Sequence, residues 1–528
     1  MVKSEKDRVW SKYCGFLDLP LEQFMRLQEA SLTEQLGRLA LSGLGSRLMG
    51  LKAPVTMHDF RQRVPLTTYE DYLPELDIKD SSALPEIPYA WAHTSGASGA
   101  IRRVPWTKAA YQRQLDNLMS VFILACSRDR GNSLLAEGDR VLYNVAPSPY
   151  LSGLLANGAA ADFNLRSVMD TKEHDDMDFR DKVTKGFEAA LRSGVDILVA
   201  MTSVLVKTGN EFGKRSRQGN LKRHFGHPAE LFRVGRGYLK SRVEQRPLLP
   251  KDIWPLKALI GWGMDSAIYS EQVRADWGVY PYEFHACTEA GIIAVQSWTR
   301  QGLTLIPYSN FYEFIPVSES LKQKQNLFYE PETVLFDELK PGESYEVVIT
   351  SLFGMPFIRY RLGHIIRVIS PRDESAGIDL PQIVYEGRGD ELIDIAGFTR
   401  IGEKSVLQCL ANLGVNYEDW TIRKEMDGDS CILHLYIEMR NGSSPNLAPA
   451  FASELANVDL YYRDLVNMLG MQPTEITELP HGTFRSYYDN KMAAGAELAL
   501  RRPARINASD DVIIDLLSNS TTCGKVAV

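Results

Sequence analysis

Between residues 105 and 260 the chain alternates helical and extended patterns, and this alternation limits the fold more than any single motif. Tyr111 to Cys126 carries an apolar stripe at helical spacing. Arg140-Val141-Leu142-Tyr143-Asn144-Val145 is a short β-rich run. Residues 180–192 then place Val183, Phe187, Ala190 and Leu191 on one helical face, with Gly194 as C-cap. Val195-Asp196-Ile197-Leu198-Val199-Ala200 reads as a buried strand. Helix and strand in turn imply a mostly parallel sheet with helices on its faces, an α/β fold.

The flanks extend this picture. Residues 5–50 read as helical, with Phe16, Leu19, Leu21, Phe24, Leu27, Leu32, Leu36 and Leu39 recurring at roughly helical spacing. Gly43-Leu44-Gly45 breaks that pattern, and with no strand before it the dinucleotide-binding glycine fingerprint is discarded. Val64-Pro65-Leu66-Thr67-Thr68-Tyr69-Glu70-Asp71 is a capped start to a short helix. After about residue 300 the chain turns β-rich, at Tyr345 to Thr350, Ile365 to Ile369 and Ile383 to Tyr385. Gly387-Arg388-Gly389-Asp390 is a charged, glycine-flanked break. It divides a large N-terminal domain, 1–386, from a smaller α+β domain, 391–528, with 387–390 as the hinge. Helices near 403–413 and 449–469 and a strand at 431–439 make up the second domain.

Composition bounds the function. The 59 basic and 67 acidic residues give a net charge of −8, which argues against bulk nucleic-acid or membrane-surface binding and leaves room for local patches. Residues 207–223 are locally basic (Lys207, Lys214, Arg215, Arg217, Lys222, Arg223) and read as a solvated helix or loop, with a nucleic-acid patch as the alternative. The six cysteines are scattered without a C-x-x-C pair, which suits a reducing compartment. No secretory leader or membrane-spanning run is legible, so a cytoplasmic location is expected. His174-Asp175-Asp176 with Asp178 reads as an exposed acidic loop before a metal site.

Four short motifs carry chemistry. The first is His93-Thr94-Ser95-Gly96-Ala97-Ser98-Gly99, followed by Arg102 and Arg103. Glycines let backbone N–H groups close on oxygen, hydroxyls donate further, and arginines supply charge and a forked donor. Such a loop cradles a polyphosphate, although Ser/Gly-rich stretches are usually surface turns. The second is Phe284-His285-Ala286-Cys287-Thr288-Glu289, preceded by Leu259-Ile260-Gly261-Trp262-Gly263-Met264. The third is Tyr360-Arg361-Leu362-Gly363-His364, and the fourth is the 387–390 break. Singly each has a structural reading; in this order and spacing they argue for one site.

That order resembles the adenylate-forming enzyme superfamily. Within it the chain is similar to the auxin-responsive (Gretchen Hagen) acyl-acid amido synthetases, through residues 64–71, Asn310-Phe311-Tyr312-Glu313-Phe314-Ile315-Pro316, Arg359-Tyr360-Arg361-Leu362-Gly363 and Gly482-Thr483-Phe484. The resemblance implies a large adenylate-forming domain with a mobile C-terminal domain, and a ligase that uses ATP and Mg²⁺. A small carboxylic acid attacks the α-phosphate, and the acyl group passes to an amino acid or amine. It implies that Thr94, Ser95, Gly96, Ala97, Ser98 and Gly99 close over the phosphates while Arg102 and Arg103 neutralise pyrophosphate. Glu289 would hold Mg²⁺, Thr288 the α-phosphate, and Gly263 and Met264 the adenine and acyl group. Arg361 joins the catalytic set, with His364 at the ribose and Arg388 at the ribose or hinge. Transfer to coenzyme A and a non-catalytic nucleotide-binding homologue are the alternatives.

Three positions depart from the family pattern. His364 replaces an aspartate that accepts from both ribose hydroxyls, and losing one such bond weakens binding by about 1–3 kcal/mol. His285 stands where tyrosine is usual. Arg501-Arg502-Pro503-Ala504-Arg505 keeps positive charge without the usual lysine amine.

Overall fold

The computed structural model describes residues 5–50, 54, 56–95, 101–170, 177, 179–217, 228–262, 268–326, 328–389, 393–395, 399–427, 430–440, 446–459, 462–463, 466, 474–496 and 501–523. It falls into two compact units, one of Met1–Thr94 with Arg102–Tyr385 and the other of Ser95–Ile101 with Glu386–Val528.

The first unit is organised on a sheet of 11 strands. A separate pair, β1 (Ala90–Ser95) and β2 (Ile101–Trp106), precedes it. In chain order the sheet strands are β3 (Arg140–Asn144), β4 (Arg166–Ser167), β5 (Ile197–Met201), β6 (Ala258–Trp262) and β7 (Pro281–Cys287). These are followed by β8 (Gly291–Gln296), β9 (Leu303–Leu305), β10 (Asn310–Pro316), β11 (Ser344–Ser351), β12 (Tyr360–Ser370) and β13 (Gln382–Arg388). Their spatial order is β10-β11-β12-β13-β9-β8-β7-β6-β5-β3-β4. From β4 to β7 the neighbours are parallel, as the alternating sequence requires. From β7 to β9 and across β10 to β12 they are antiparallel, the β-rich region read after residue 300.

Among the helices of this unit are α1 (Leu21–Leu39), α2 (Lys108–Ala125), α3 (Phe179–Ser193) and α4 (Pro228–Val243). Phe24, Leu32, Leu36 and Leu39 of α1 are buried as the stripe predicts, but so are Gln28 and Gln35. The glutamines explain where the helix docks. Gln28 Nε2 donates to Asn310 O at 2.8 Å, and its Oε1 accepts from Tyr312 N at 2.9 Å. β10 is the edge of the sheet, and Gln28 satisfies backbone groups that would otherwise stand unpaired. Helix α2 is almost wholly enclosed, with Leu115, Val121, Phe122, Ile123 and Leu124 buried. Burial of each such side chain is worth about 1.5–3 kcal/mol. After α3, Gly194 has φ +81°, and a Cβ there would meet Arg140 Nη1 at 2.3 Å, so the C-cap needs glycine.

The break at Gly43-Leu44-Gly45 is a restart. Ser42 Oγ accepts from Gly45 N at 2.9 Å and caps a new helix, Gly43–Met49.

In the second unit, β14 (Tyr417–Asp427), β15 (Ser430–Met439) and β16 (Thr474–Leu479) form a three-stranded sheet, with β15 and β16 parallel. Helices α5 (Glu403–Asn412), α6 (Leu447–Val458), α7 (Thr483–Ala493) and α8 (Asp510–Cys523) accompany it. The helix read over 449–469 ends at Val458, and most positions from 460 to 473 lie outside the described residues. The Gly482-Thr483-Phe484 motif starts α7. Glu438, 1% exposed, accepts from Gly482 N at 2.6 Å and Phe484 N at 2.9 Å, placing a carboxylate where the helix N-terminus is positive.

Candidate active site

The motif at 288–289 forms the turn between β7 and β8, and buried amides hold it in place. Gln114 on α2 accepts from Ile292 N at 2.8 Å, and Asn310 Nδ2 donates to Ala290 O at 3.0 Å. Gly291 has φ +71°, and a Cβ there would sit 2.2 Å from the Gln114 amide carbon. Backbone conformation and space both demand glycine. Sequence reading gave Gln114 no role and named Asn310 only within the motif at 310–316.

Glu289 is buried, 7% exposed, in a setting shared with Tyr69, Arg102, Cys287 and Tyr360. Burial drives the Tyr360 phenol far above its ordinary pKa, the Glu289 charge adds to the rise, and Arg102 opposes it. Tyr69 is raised chiefly by burial, against the pull of Arg103, Arg102 and its bond to the Arg103 backbone. Arg102 lies over the Tyr69 ring at 5.1 Å. Tyr69 Oη accepts from Arg103 N at 2.7 Å and donates to Arg103 O at 3.0 Å. This grip on β2 sets the Arg102 side chain over Tyr69, where it also pairs with Glu70 at 3.8 Å, and Arg103 pairs with Asp77 at 3.0 Å. Glu289 also lines a cavity of about 10 Å³ with Trp106, Arg113, Gln114 and Asn310, room for one water.

The two departures at 285 and 364 touch each other. His285 Nε2 and His364 Nδ1 are 3.0 Å apart, and both residues are buried. Tyr385 on β13 stacks on His285 at 4.4 Å and lies 5.3 Å from His364. Burial lowers the His285 pKa to about 4, so that ring is neutral at pH 7. One N–H bridges the rings, so His364 is donor or acceptor toward His285 according to its tautomer. Gly363, with φ +71°, falls where the β11–β12 register shifts. Such a bulge re-aims the following side chain, here His364.

Arg361 is placed differently. Its guanidinium makes a forked pair with Glu346, Nε to Oε1 at 2.9 Å and Nη2 to Oε2 at 2.6 Å, and Nη1 donates to Gln323 at 2.7 Å. It braces β11 and the helix at Val317–Gln325, apart from the Glu289 cluster. Thr94 and Ser95 end β1, and Arg388 ends β13. The side chains of Thr94 and Ser95, the loop residues Gly96, Ala97, Ser98 and Gly99, and Gly263 and Met264 lie outside the described residues, as do the acidic positions 174–176 and 178. Arg501 Nε donates to Ala496 O at 2.9 Å.

The most family-specific motifs position the site. Glu313 of β10, 1% exposed, binds Arg359 through Nη2 at 2.9 Å and Nε at 3.0 Å. Arg359 Nη1 donates to Arg61 O at 2.7 Å. Thr67 accepts from Arg361 N at 2.9 Å and donates from its own N–H to Arg359 O at 2.9 Å, strapping the start of β12.

The donor set suits a nucleotide-borne magnesium ion. Among the described residues no cluster of three His, Cys, Asp or Glu side chains could hold a metal alone. One buried, hard carboxylate, Glu289, fits Mg²⁺, which takes one or two protein carboxylates and fills its shell with phosphate oxygens and water.

Comparison with known proteins agrees with this architecture. The fold is shared, over 98% of this chain and 97% of the other, with an acyl acid amido synthetase solved with 2,4-DB (TM-score 0.68, 17% identity). It is shared over 96% and 93% with a 2-hydroxyisobutyryl-CoA ligase in its postadenylation state (TM-score 0.60, 13% identity). The fold is therefore that of the adenylate-forming ligases. Family models described as the GH3 family N-terminal domain and GH3 family central domain match residues 16–141 and 303–382. Through these two segments the chain is similar to the GH3 family. Among curated relatives, a jasmonoyl–L-amino acid synthetase of Oryza sativa subsp. japonica is 23% identical over 233 residues, covering 41% of this chain and 39% of that protein. Another from Nicotiana attenuata is 21% identical over 225 residues, covering 41% and 37%. The match thus spans about two fifths of the length of these relatives.

Proposed function

We propose that this protein is an ATP-dependent acid–amino acid ligase: it activates a small carboxylic acid as its adenylate and passes the acyl group to an amine. The observation that carries this reading is the buried Glu289, on a turn fixed by Gln114 and Asn310 and sharing an electrostatic setting with Arg102, Tyr69 and Tyr360, within an adenylate-forming fold. Attack of a carboxylate on the α-phosphate brings two anions together, so preoriented positive charge lowers the barrier. Arg102, fixed over Tyr69, supplies that charge, and Thr288 on the same turn donates to the α-phosphate. Glu289 would hold Mg²⁺, which when bound offsets the charge of the triphosphate. His364, oriented by His285, meets one ribose hydroxyl. The loop 94–99 closes over the phosphates, and Gly263 and Met264 line the adenine and acyl group. Arg361 and Arg103 serve as positioning residues through Glu346 and Asp77. The 387–390 break acts as the hinge between domains 1–386 and 391–528; Gly387, with φ +145°, occupies a backbone state that favours glycine.

Pyrophosphate exchange across aryl, indolyl and fatty acids tests adenylation. Exchange with at least one acid is expected, and Glu289→Gln should reduce it roughly tenfold or more through lost metal binding. ATP binding without exchange for any acid would place the chain with the non-catalytic homologues. Product masses after adding amino acids or coenzyme A separately distinguish amide from thioester, the latter being the chemistry named for the 2-hydroxyisobutyryl-CoA ligase neighbour.

A further inference from the structure

Helix α4 is built inside out. Glu230, Val234, Gly237 and Ser241 are its buried residues, and at about 100° per residue they fall on one face. Diametrically opposite stand Phe232, Leu239 and Val243, exposed by 72%, 69% and 83%. Leu231 and Tyr238 widen this apolar ridge along one side. A surface helix ordinarily turns its apolar stripe inward. Here the inward face contains a carboxylate, Glu230, paired with Arg192 of α3 at 2.7 Å.

Cations border the ridge on both sides. Arg236 and Lys240 flank it on one side and Arg242 on the other. Arg242 lies 5.1 Å over the Tyr238 ring and donates to its hydroxyl at 2.6 Å. Lys240 is 55% exposed, and its nearest carboxylate, Asp252 at 3.8 Å, is held by Arg246 at 2.6 Å. Among the described residues no carboxylate forms an ion pair with Arg236. Residues 228–243 carry four lysines and arginines against one acid, Glu230, so the chain's net charge of −8 does not describe this helix.

We propose that the outer face of α4 is a peripheral docking surface for an anionic lipid bilayer. Phe232, Leu239 and Val243 sink into the boundary between headgroups and acyl chains, and Arg236, Lys240 and Arg242 meet lipid phosphates. Charge complementarity selects this occupant. A second copy of the same face would set cations against cations, and a nucleic acid would leave the apolar ridge in water. Attachment is in the plane of the surface: among the described residues no helix is long and apolar enough to cross a membrane.

Sedimentation of the full chain with phosphatidylcholine vesicles, with and without phosphatidylserine, tests the proposal. The protein should bind the phosphatidylserine vesicles roughly tenfold or more tightly than the neutral ones, and release as salt rises. Phe232→Ser/Leu239→Ser and Arg236→Glu/Lys240→Glu should each weaken that binding roughly tenfold or more. These side chains are exposed, so melting temperatures should match the wild type. Wild-type protein that stays in the supernatant with phosphatidylserine vesicles overturns the proposal, as do variants that bind unchanged. A concentration-dependent dimer, or capture of homopolymer RNA, abolished by the same variants without vesicle binding would reassign the face to a second copy or a nucleic acid.

Discussion

Replacing His285 by glutamine should remove a defined part of the protein's acid sensitivity. Burial holds the His285 pKa at about 4 in the folded chain, against 6.5 for an exposed imidazole. Between those values the unfolded chain binds a proton that the folded chain refuses. Stability from this residue is therefore complete above about pH 6.5 and is lost as pH falls to about 4. At about 1.4 kcal/mol per pKa unit, the loss is about 3 kcal/mol. Glutamine keeps an amide near the position of Nε2, where it can donate to or accept from His364 Nδ1, and it does not titrate. Its own cost, mainly the lost stacking on Tyr385, is about 0.5–1.5 kcal/mol and independent of pH. Urea unfolding of wild type and variant at about pH 7 and about pH 4 reads the difference. The wild type should lose about 3 kcal/mol more than His285→Gln over that interval. If the two lose stability in parallel, the ring is not held neutral by burial and the reasoning fails.

Three further outcomes are expected from the same geometry. Gly291→Ala combines positive φ with overlap onto Gln114 and should cost about 2–4 kcal/mol in urea unfolding, with part recovered in a Gly291→Ala/Gln114→Ala double variant. Arg359→Met leaves the buried Glu313 with only Arg61, at 3.3 Å, as charge partner and should destabilise by about 2–4 kcal/mol by the same measurement; a loss under about 1 kcal/mol would show the pair to be dispensable. In calorimetric titration with ATP, His364→Asp alone should not tighten binding, because His285 would engage the new carboxylate. Adding His285→Tyr should tighten it by about 1–3 kcal/mol, and additive single effects would refute the coupling.

Much of the fold was legible because periodicity reports burial. The helix Lys108–Ala125, the strand Ile197–Met201 and the parallel order of β4 to β7 derive from patterns local to each segment. The turn at Glu289 was legible for another reason, since glycines and charged residues at fixed spacing have few structural uses. What stayed hidden is pairing across long separations. His285 and His364 each looked like an isolated departure, and 79 residues of chain conceal that they share one hydrogen bond. Arg361 shows the converse. Its motif position implied the active site, but Glu346, 15 residues upstream, and Gln323 share its guanidinium. Gln28 and Gln35 sit within an apolar stripe, and only their distant backbone partners explain them.

The seating of α1 on the sheet edge also has a consequence in time. Synthesis delivers Gln28 first, but the strand it covers begins 282 residues later. The earliest long helix to leave the ribosome is therefore among the last to reach its place, and its face must wait in solution or on a chaperone. Two glutamines among Phe24, Leu32, Leu36 and Leu39 make that wait less adhesive than an all-apolar stripe would. A chain interrupted before residue 310 leaves this helix with nothing to guard, and a chain lacking the helix would expose an edge strand able to recruit its own kind.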